Sequence, residues 1–209
     1  MNKFYVIGNS VSQSYSPQLF KLIFHSLDIL DSDYSFKNIL NNQLDEYLNY
    51  NIFKGINVTN PFKEKIISYL DFKDETVNQS GSCNCIVNDK DKLIGYNTDC
   101  YGFEKLLKIN NLYNSNIKFL IYGTGGVVHS LLWVLIKLGC QEVSIVYRNE
   151  KKIKFLVNQF NKILINRINF KNLNAVDINQ HEVLINATSI LNSNIYRDNF
   201  MIQYALDNN

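Results

Sequence analysis

The chain is poor in proline, balanced in charge and without a long apolar run, and each shortage removes a class of protein. Only two prolines occur in 209 residues, Pro17 and Pro61, so proline-rich linkers and polyproline ligand segments are excluded. Lys and Arg number 21 against 19 Asp and Glu, a formal net charge of +2. Such a balance gives no electrostatic argument for nucleic acid or an anionic membrane surface. A small anionic ligand stays open, because it needs only local charge. The longest apolar run, residues 131–136, falls far short of the roughly 20 residues a membrane helix needs. The opening MNKFYVIGNS lacks the apolar core of a signal peptide. Together these features predict a soluble, cytoplasmic protein. Metal-binding patterns are scarce too. Cys83, Cys85, Cys100 and Cys140 form no C-x-x-C pair, and no histidine is near the first three in sequence. Reduced thiols are expected, with a zinc site from Cys83, Cys85 and Cys100 as the alternative.

What is present is apolar content of 46%, enough for a core, in two textures. Before residue 100, "FYVIG" (4–8), "YSFKNI" (34–39) and "GINVT" (55–59) read as short strands. Ser16 and Pro17 suit a helix start, with Ser16 as N-cap, followed by Leu19, Phe20, Leu22, Ile23 and Leu27 at helical spacing. Residues 44–50 fit a helix, and "CIVND" with "KLIGY" a hairpin. After Gly102, strands at 118–123, 142–148 and 182–188 alternate with helices at 103–109, 127–138 and 151–160. Such alternation predicts an α/β fold with a parallel sheet. The spacing puts a domain boundary near residue 100, giving domains 1–100 and 101–209.

The second half holds Gly123-Thr124-Gly125-Gly126-Val127 between a buried strand and an apolar helix. Glycine lets the backbone turn tightly and approach a pyrophosphate at the positive end of the helix. The pattern is G-x-G-G rather than the full G-x-G-x-x-G, and a tight turn without ligand would use the same residues. Strand, helix and following strand favour the dinucleotide. The next strand ends in Tyr147-Arg148, where an NAD site would usually offer Asp or Glu for the ribose. A guanidinium suits a 2′-phosphate, and Lys151 and Lys152 follow, so NADP is favoured over NAD. The first half offers Ser14 and Ser16, Asn57-Val58-Thr59 leading to Lys63, Asn84, and Asp99 within "GYNTDCYGF". Hydroxyls and amides bind ligand hydroxyls or carboxylates, and a lysine beside a carboxylate can move protons. Each also has a plain reading as cap, turn or surface residue, and spacing alone does not make them converge.

The stretches "GNSVSQSYSP", "GINVTNPFKEKI", "GSCNCIV", "GYNTDCYGF", "YGTGGVVHSLLWVL" and "INATS" resemble, in order, those of the shikimate dehydrogenase family. N-V-T-x-P-x-K and G-x-N-T-D-x-x-G-F are the specific motifs, and the likeness covers nearly the whole chain. The resemblance implies an N-terminal α/β substrate domain and a Rossmann-like, doubly wound NADP-binding domain, with a cleft between them. It implies reversible NADPH-dependent reduction of 3-dehydroshikimate to shikimate, a step of aromatic amino-acid synthesis, with no metal. By the same likeness Ser14 and Ser16 take the substrate carboxylate, with Thr59 nearby. Lys63 and Asp99 form the catalytic pair, and Asn84 and Asp99 hold ring hydroxyls. Gly123, Thr124, Gly125, Gly126 and Val127 cradle the pyrophosphate. Arg148, Asn149 and Lys152 lie at the adenosine 2′-phosphate, and Glu75 matches an acidic cofactor-side residue.

The chain departs from the family pattern in places. Ser10 and Gln13 replace a Pro and a His before the Ser-x-Ser. Cys83 and Cys85 flank Asn84 where small apolar residues and Thr are usual. Tyr147-Arg148-Asn149 stands for Asn-Arg-Thr. After Ser189 the family continues for several dozen residues, whereas here residues 190–209 remain, with "NFMIQYALDNN" similar to a terminal helix that would return to the first domain and Gln203 in place of a substrate glutamine. A shortened C-terminus would expose apolar surface that a homodimer could cover. It also leaves two alternatives: a related quinate or shikimate dehydrogenase preferring NAD, and a non-catalytic remnant that binds ligand or partner.

Overall fold

The computed structural model describes residues 1–50, 52–175 and 180–188. Ser189, Gln203 and the expected terminal helix lie outside the described residues. The chain divides into two compact units, Met1–Lys105 with His129–Trp133, and Leu106–Val128 with Val134–Asn209.

In the first unit, β1 (Asn2–Gly8) is followed by α1 (Ser16–Ser26), β2 (Ser32–Asn38), α2 (Leu44–Tyr50) and β3 (Gly55–Val58). Strands β2 and β3 both pair parallel to β1, on opposite sides of it. Successive side chains of a strand point to opposite faces, and Val6 and Ile7 of β1 accordingly feed two different clusters. Ile7 packs with Leu44, Ile56, Phe62, Ile66 and Ile86. Val6 packs with Val11 and Tyr34, backed by Phe4, Phe20 and Phe24. The sheet then turns mixed. A 3₁₀ turn (Lys65–Tyr69), the short β4 (Phe72–Lys73) and α3 (Glu75–Ser80) lead to β5 (Cys85–Asp89) and β6 (Lys92–Tyr96). The order is β2-β1-β3-β5-β6-β4, with β5 antiparallel to both neighbours.

Helix α4 (Thr98–Ile109) starts five residues earlier than the sequence predicts. Gly102, read as a break, lies inside it at an exposed position, where glycine costs only about 1 kcal/mol relative to alanine. Its start is held from elsewhere in the chain, since the Thr98 N–H donates to the Asn84 side chain at 2.9 Å. Ser16 is also not the N-cap of α1. Tyr15 holds that position without a side-chain bond, and Ser16 is the first helical residue, its N–H donating to Ser14 Oγ at 3.2 Å. No residue of α1 is fully buried, and Leu19, Leu22 and Leu27 are more than half exposed.

In the second unit, β7 (Phe119–Tyr122), α5 (Gly126–Lys137), β8 (Glu142–Tyr147), α6 (Glu150–Gln159), β9 (Leu164–Asn169) and β10 (Val183–Asn186) form an all-parallel sheet of order β10-β7-β8-β9. Every residue of β7 is buried, as expected of a parallel strand covered on both faces. Strand β9 is absent from the sequence reading. It is an edge strand whose Asn166 and Arg167 are exposed, so its apolar signal is thin. Among the described residues no helix is long and apolar enough to cross a membrane.

The β5–β6 hairpin matches its expectation but uses an unusual loop. Asp89 pairs with Lys92, and the two linking residues, Lys90 and Asp91, both have positive φ, 51° and 63°. Asn-Gly is the favoured pair for such a turn, and an L side chain in the left-handed region costs about 1–2 kcal/mol. The double substitution Lys90→Asn/Asp91→Gly is expected to raise stability by about 1 kcal/mol, read as a higher urea midpoint at unchanged slope.

Candidate active site

The first unit gathers its polar side chains where its parallel strands end. Strands β1 and β3 are neighbours at the point where the strand order reverses, the usual place for a ligand crevice in an open α/β sheet. The chain leaving β1 carries Ser14 and Ser16, and the chain leaving β3 carries Thr59 and Lys63. The two exits lie close together: a Cβ placed on Gly8 would come within 2.6 Å of Thr59 Cγ2.

Lys63 and Asp99 meet directly. Lys63 Nζ donates to Asp99 Oδ2 at 2.7 Å, with both side chains largely shielded, 17% and 26% exposed. Lys63 follows the fully buried Phe62, and its carbonyl accepts from Cys83 N at 2.8 Å, which ties this turn to the strand before Asn84. Asp99 is in the first turn of α4, where the helix dipole favours a carboxylate. Its second oxygen, Oδ1, accepts from Asn84 Nδ2 at 2.8 Å. The Asn84 amide thus bridges backbone and site, since its oxygen accepts from Thr98 N while its nitrogen donates to Asp99. The approach to α4 is locked by Asn97, 1% exposed, whose Nδ2 donates to Ser80 and Ser130 hydroxyls at 2.9 and 2.8 Å. A charge-assisted, doubly oriented lysine–carboxylate pair of this kind can pass a proton to or from an oxygen set beside it.

The two serines pair with each other. Ser14 Oγ donates to Ser16 Oγ at 3.1 Å. Ser16 lies beside Tyr34, whose hydroxyl donates to Asn57 Oδ1 at 2.7 Å. Asn57 Nδ2 reaches the Asn84 carbonyl at 3.4 Å. Burial pushes the Tyr34 phenol up to about 12, so it stays a neutral donor near neutral pH. Of the residues expected to bind substrate, hydrogen bonds join Ser14 to Ser16, and Asp99 to both Lys63 and Asn84. Thr59 is at the same strand ends and is half-buried. Glu75 is exposed and opens α3, where its charge favours the helix start, and no side-chain bond joins it to this network among the described residues. Tyr34 carried no role in the sequence reading.

In the second unit, β7 and β10 are the neighbours at the reversal of strand order. The glycine turn follows β7. Gly123 has φ +113°, and a Cβ there would come within 2.8 Å of the Ala187 carbonyl oxygen just after β10. Only glycine fits. Gly125 is the N-cap of α5, with no capping side-chain bond and no heavy atom within 4 Å of a built Cβ. The turn therefore leaves backbone space and a helix N-terminus facing it, which suits a pyrophosphate. Arg148 follows β8, exposed, with its guanidinium 5.6 Å from the Phe170 ring centre. Asn149 caps α6 by accepting from Lys152 N at 3.1 Å, and Lys152 is exposed beside it. The residues present fit a dinucleotide with a phosphate on its adenosine ribose.

The four cysteines are free. Burial pushes the Cys83 thiol up to about 12 and the Cys100 thiol to about 11, and raises Cys85 and Cys140 as well. Among the described residues no group of three or more His, Cys, Asp or Glu is placed to hold a metal.

Comparison with known proteins gives a consistent result. Residues 6–86 match the shikimate dehydrogenase substrate binding domain, and residues 105–206 match the shikimate / quinate 5-dehydrogenase family. The shikimate dehydrogenase (NADP(+)) of Clostridium botulinum strain Hall is 33% identical over 193 residues, 91% of this chain and 72% of the relative. That of Pelagibacter ubique is 37% identical over 191 residues, 90% of this chain and 69% of the relative. Among solved structures, Aquifex aeolicus shikimate dehydrogenase superposes with TM-score 0.78 at 29% identity, covering 91% of this chain and 70% of that one. The Thermus thermophilus enzyme, in complex with NADP(H) and shikimate, gives 0.74 at 25% identity, covering 90% and 69%.

The two glycines of the turn make a matched test. Gly123→Ala should destabilise the protein by roughly 2–4 kcal/mol, because strain and a backbone clash add. Gly125→Ala, with open space and φ −87°, should cost less than about 1 kcal/mol. Parallel denaturant melts read both.

Proposed function

The chain belongs to the shikimate dehydrogenase family, and on that premise we propose that it catalyses reversible NADPH-dependent reduction of 3-dehydroshikimate to shikimate. One observation carries the reading: the 2.7 Å contact of Lys63 with Asp99, whose other oxygen is held by Asn84. NADPH, when bound, supplies the hydride. The substrate oxygen that becomes a hydroxyl needs a proton, and Lys63 gives it, taking it back in the reverse direction. Asp99 keeps the ammonium in place and, with Asn84, holds neighbouring ring hydroxyls. Ser14 and Ser16 meet the carboxylate, with Thr59 beside them. Residues 1–100 thus serve the substrate and residues 101–209 the cofactor. Gly123 to Val127 would cradle the pyrophosphate, with Arg148, Asn149 and Lys152 at the 2′-phosphate and Glu75 on the cofactor side. The exposed leucines of α1 favour a homodimer. Four free thiols suit the cytoplasm.

Purified protein given shikimate and NADP should show nicotinamide reduction, and silence with shikimate and quinate, on NADP and NAD alike, would overturn the reading. Lys63→Ala should lower kcat by about 10²–10⁴. Arg148→Ala should raise KM for NADP about tenfold or more and leave KM for NAD unchanged, since one charge-assisted phosphate contact is worth at least that factor.

A further inference from the structure

The end of the β8–β9 ladder brings together two side chains that are far apart in sequence. The parallel pairing runs from Glu142 with Leu164 to Tyr147 with Asn169. Arg148 and Phe170 are the next residue on each chain, and the register carried past the last pair sets them side by side. The Arg148 guanidinium lies over the Phe170 ring, its central carbon 5.6 Å from the ring centre. Both backbones are held just beyond. Asn149 Oδ1 accepts from Lys152 N at 3.1 Å, and Asn169 Oδ1 accepts from Lys171 N at 3.0 Å. Phe170 opens a short 3₁₀ turn, Phe170–Ala175, and is half-buried, while Arg148 is exposed.

A ring contact differs from an ion pair in what it leaves unused. The ring attracts a guanidinium through its π face and takes up none of the five N–H donors. A carboxylate in the same place would occupy two of those donors and cancel the charge. Glu150, the carboxylate nearest in sequence, is paired with Lys154 at 3.6 Å. The ring therefore leaves Arg148 its charge and its fork of donors. It also restrains, before any phosphate arrives, a long side chain that would otherwise sample many rotamers.

We propose that Phe170 is a positioning residue for cofactor selection, its ring presetting the Arg148 guanidinium for the phosphate on the adenosine ribose. This rests on the reading that Arg148 meets that phosphate. Discrimination between nucleotides with and without the 2′-phosphate then belongs to two residues on neighbouring strand ends, of which only Arg148 touches the ligand.

Adenosine 2′,5′-bisphosphate and adenosine 5′-monophosphate differ by that phosphate alone, and calorimetric titration of the whole chain with each reads its contribution. Wild-type protein should bind the bisphosphate at least about tenfold tighter. Phe170→Leu keeps an apolar side chain without the ring. Its Kd for the bisphosphate should rise about two- to fivefold, the typical size of an exposed cation–π contact, with Kd for the monophosphate unchanged. Phe170→Tyr, which keeps the ring, should bind as wild type does. In an Arg148→Ala background Phe170→Leu should add nothing, because the ring acts through Arg148. In turnover KM for NADP should rise by the same factor while kcat and KM for shikimate hold. An unchanged Kd for the bisphosphate, an equal loss on both nucleotides, a Phe170→Tyr variant as weak as Phe170→Leu, or an effect that persists without Arg148 would each overturn the proposal. Wild-type protein that binds the bisphosphate no tighter than the monophosphate would overturn the reading of Arg148 and the proposal with it, an outcome distinct from a discriminating protein indifferent to Phe170→Leu.

Discussion

The Asn84 side chain is the joint on which the first unit's polar chemistry depends. It sits at the start of the β5–β6 hairpin and reaches the first turn of a helix that begins fourteen residues later, accepting from Thr98 N and donating to Asp99. A helix start has unsatisfied N–H groups, and here one of them is met by a residue of a different element. The same amide orients the carboxylate that faces Lys63. Backbone capping and site geometry are therefore one interaction, and the hairpin, α4 and the turn after β3 are fixed relative to one another by it. Asn97 adds a second lock one residue before the helix, through buried bonds to Ser80 and Ser130.

Both units use one topological device. In each, two parallel neighbours stand where the strand order reverses, β1 with β3 and β7 with β10. Such a reversal is the usual place for a ligand crevice in an open α/β sheet. Close approach there demands small residues. Gly8 lies against the Thr59 side chain and Gly123 against the Ala187 carbonyl, so both glycines answer a close approach. What lines the crevice then differs, hydroxyls, amides and one ion pair in the first unit, bare backbone and a helix N-terminus in the second.

Much of this was readable from residue order. Buried runs such as "FLIY" announce covered strands, and the G-T-G-G turn between such a strand and an apolar helix announces its own role. Ser14, Ser16, Lys63, Asn84 and Asp99 were legible as candidates by type and by the motifs around them. Their convergence was not, because it depends on strand pairing across 36 residues between Lys63 and Asp99. The extent of α4 was misread since Gly102 looks like a stop, and only the distant Asn84 shows why the helix begins before it. Ser16 was misread as a cap because Ser14, two residues earlier, takes up its N–H. Strand β9 was missed because an edge strand tolerates polar residues on its open side. Tyr34 escaped notice for a related reason: its ring reads as core, and nothing local tells that its hydroxyl reaches Asn57, 23 residues away.

The composition of the first site also limits how it can select a ligand. Ser14 and Ser16 bond each other, Tyr34 pairs with the neutral Asn57 amide, and the charged pair of Lys63 and Asp99 compensates itself. Such a site attracts an anion weakly at long range and discriminates at contact, through the match of donors and acceptors. Sites built to hydrogen-bond a hydroxyl reject analogues that lack it strongly, because buried polar groups are then left unpaired. A continuous row of bonds raises that penalty, since one missing ligand group disturbs its neighbours as well. Selectivity at a site of this composition would belong to the set of bonded side chains rather than to any single residue.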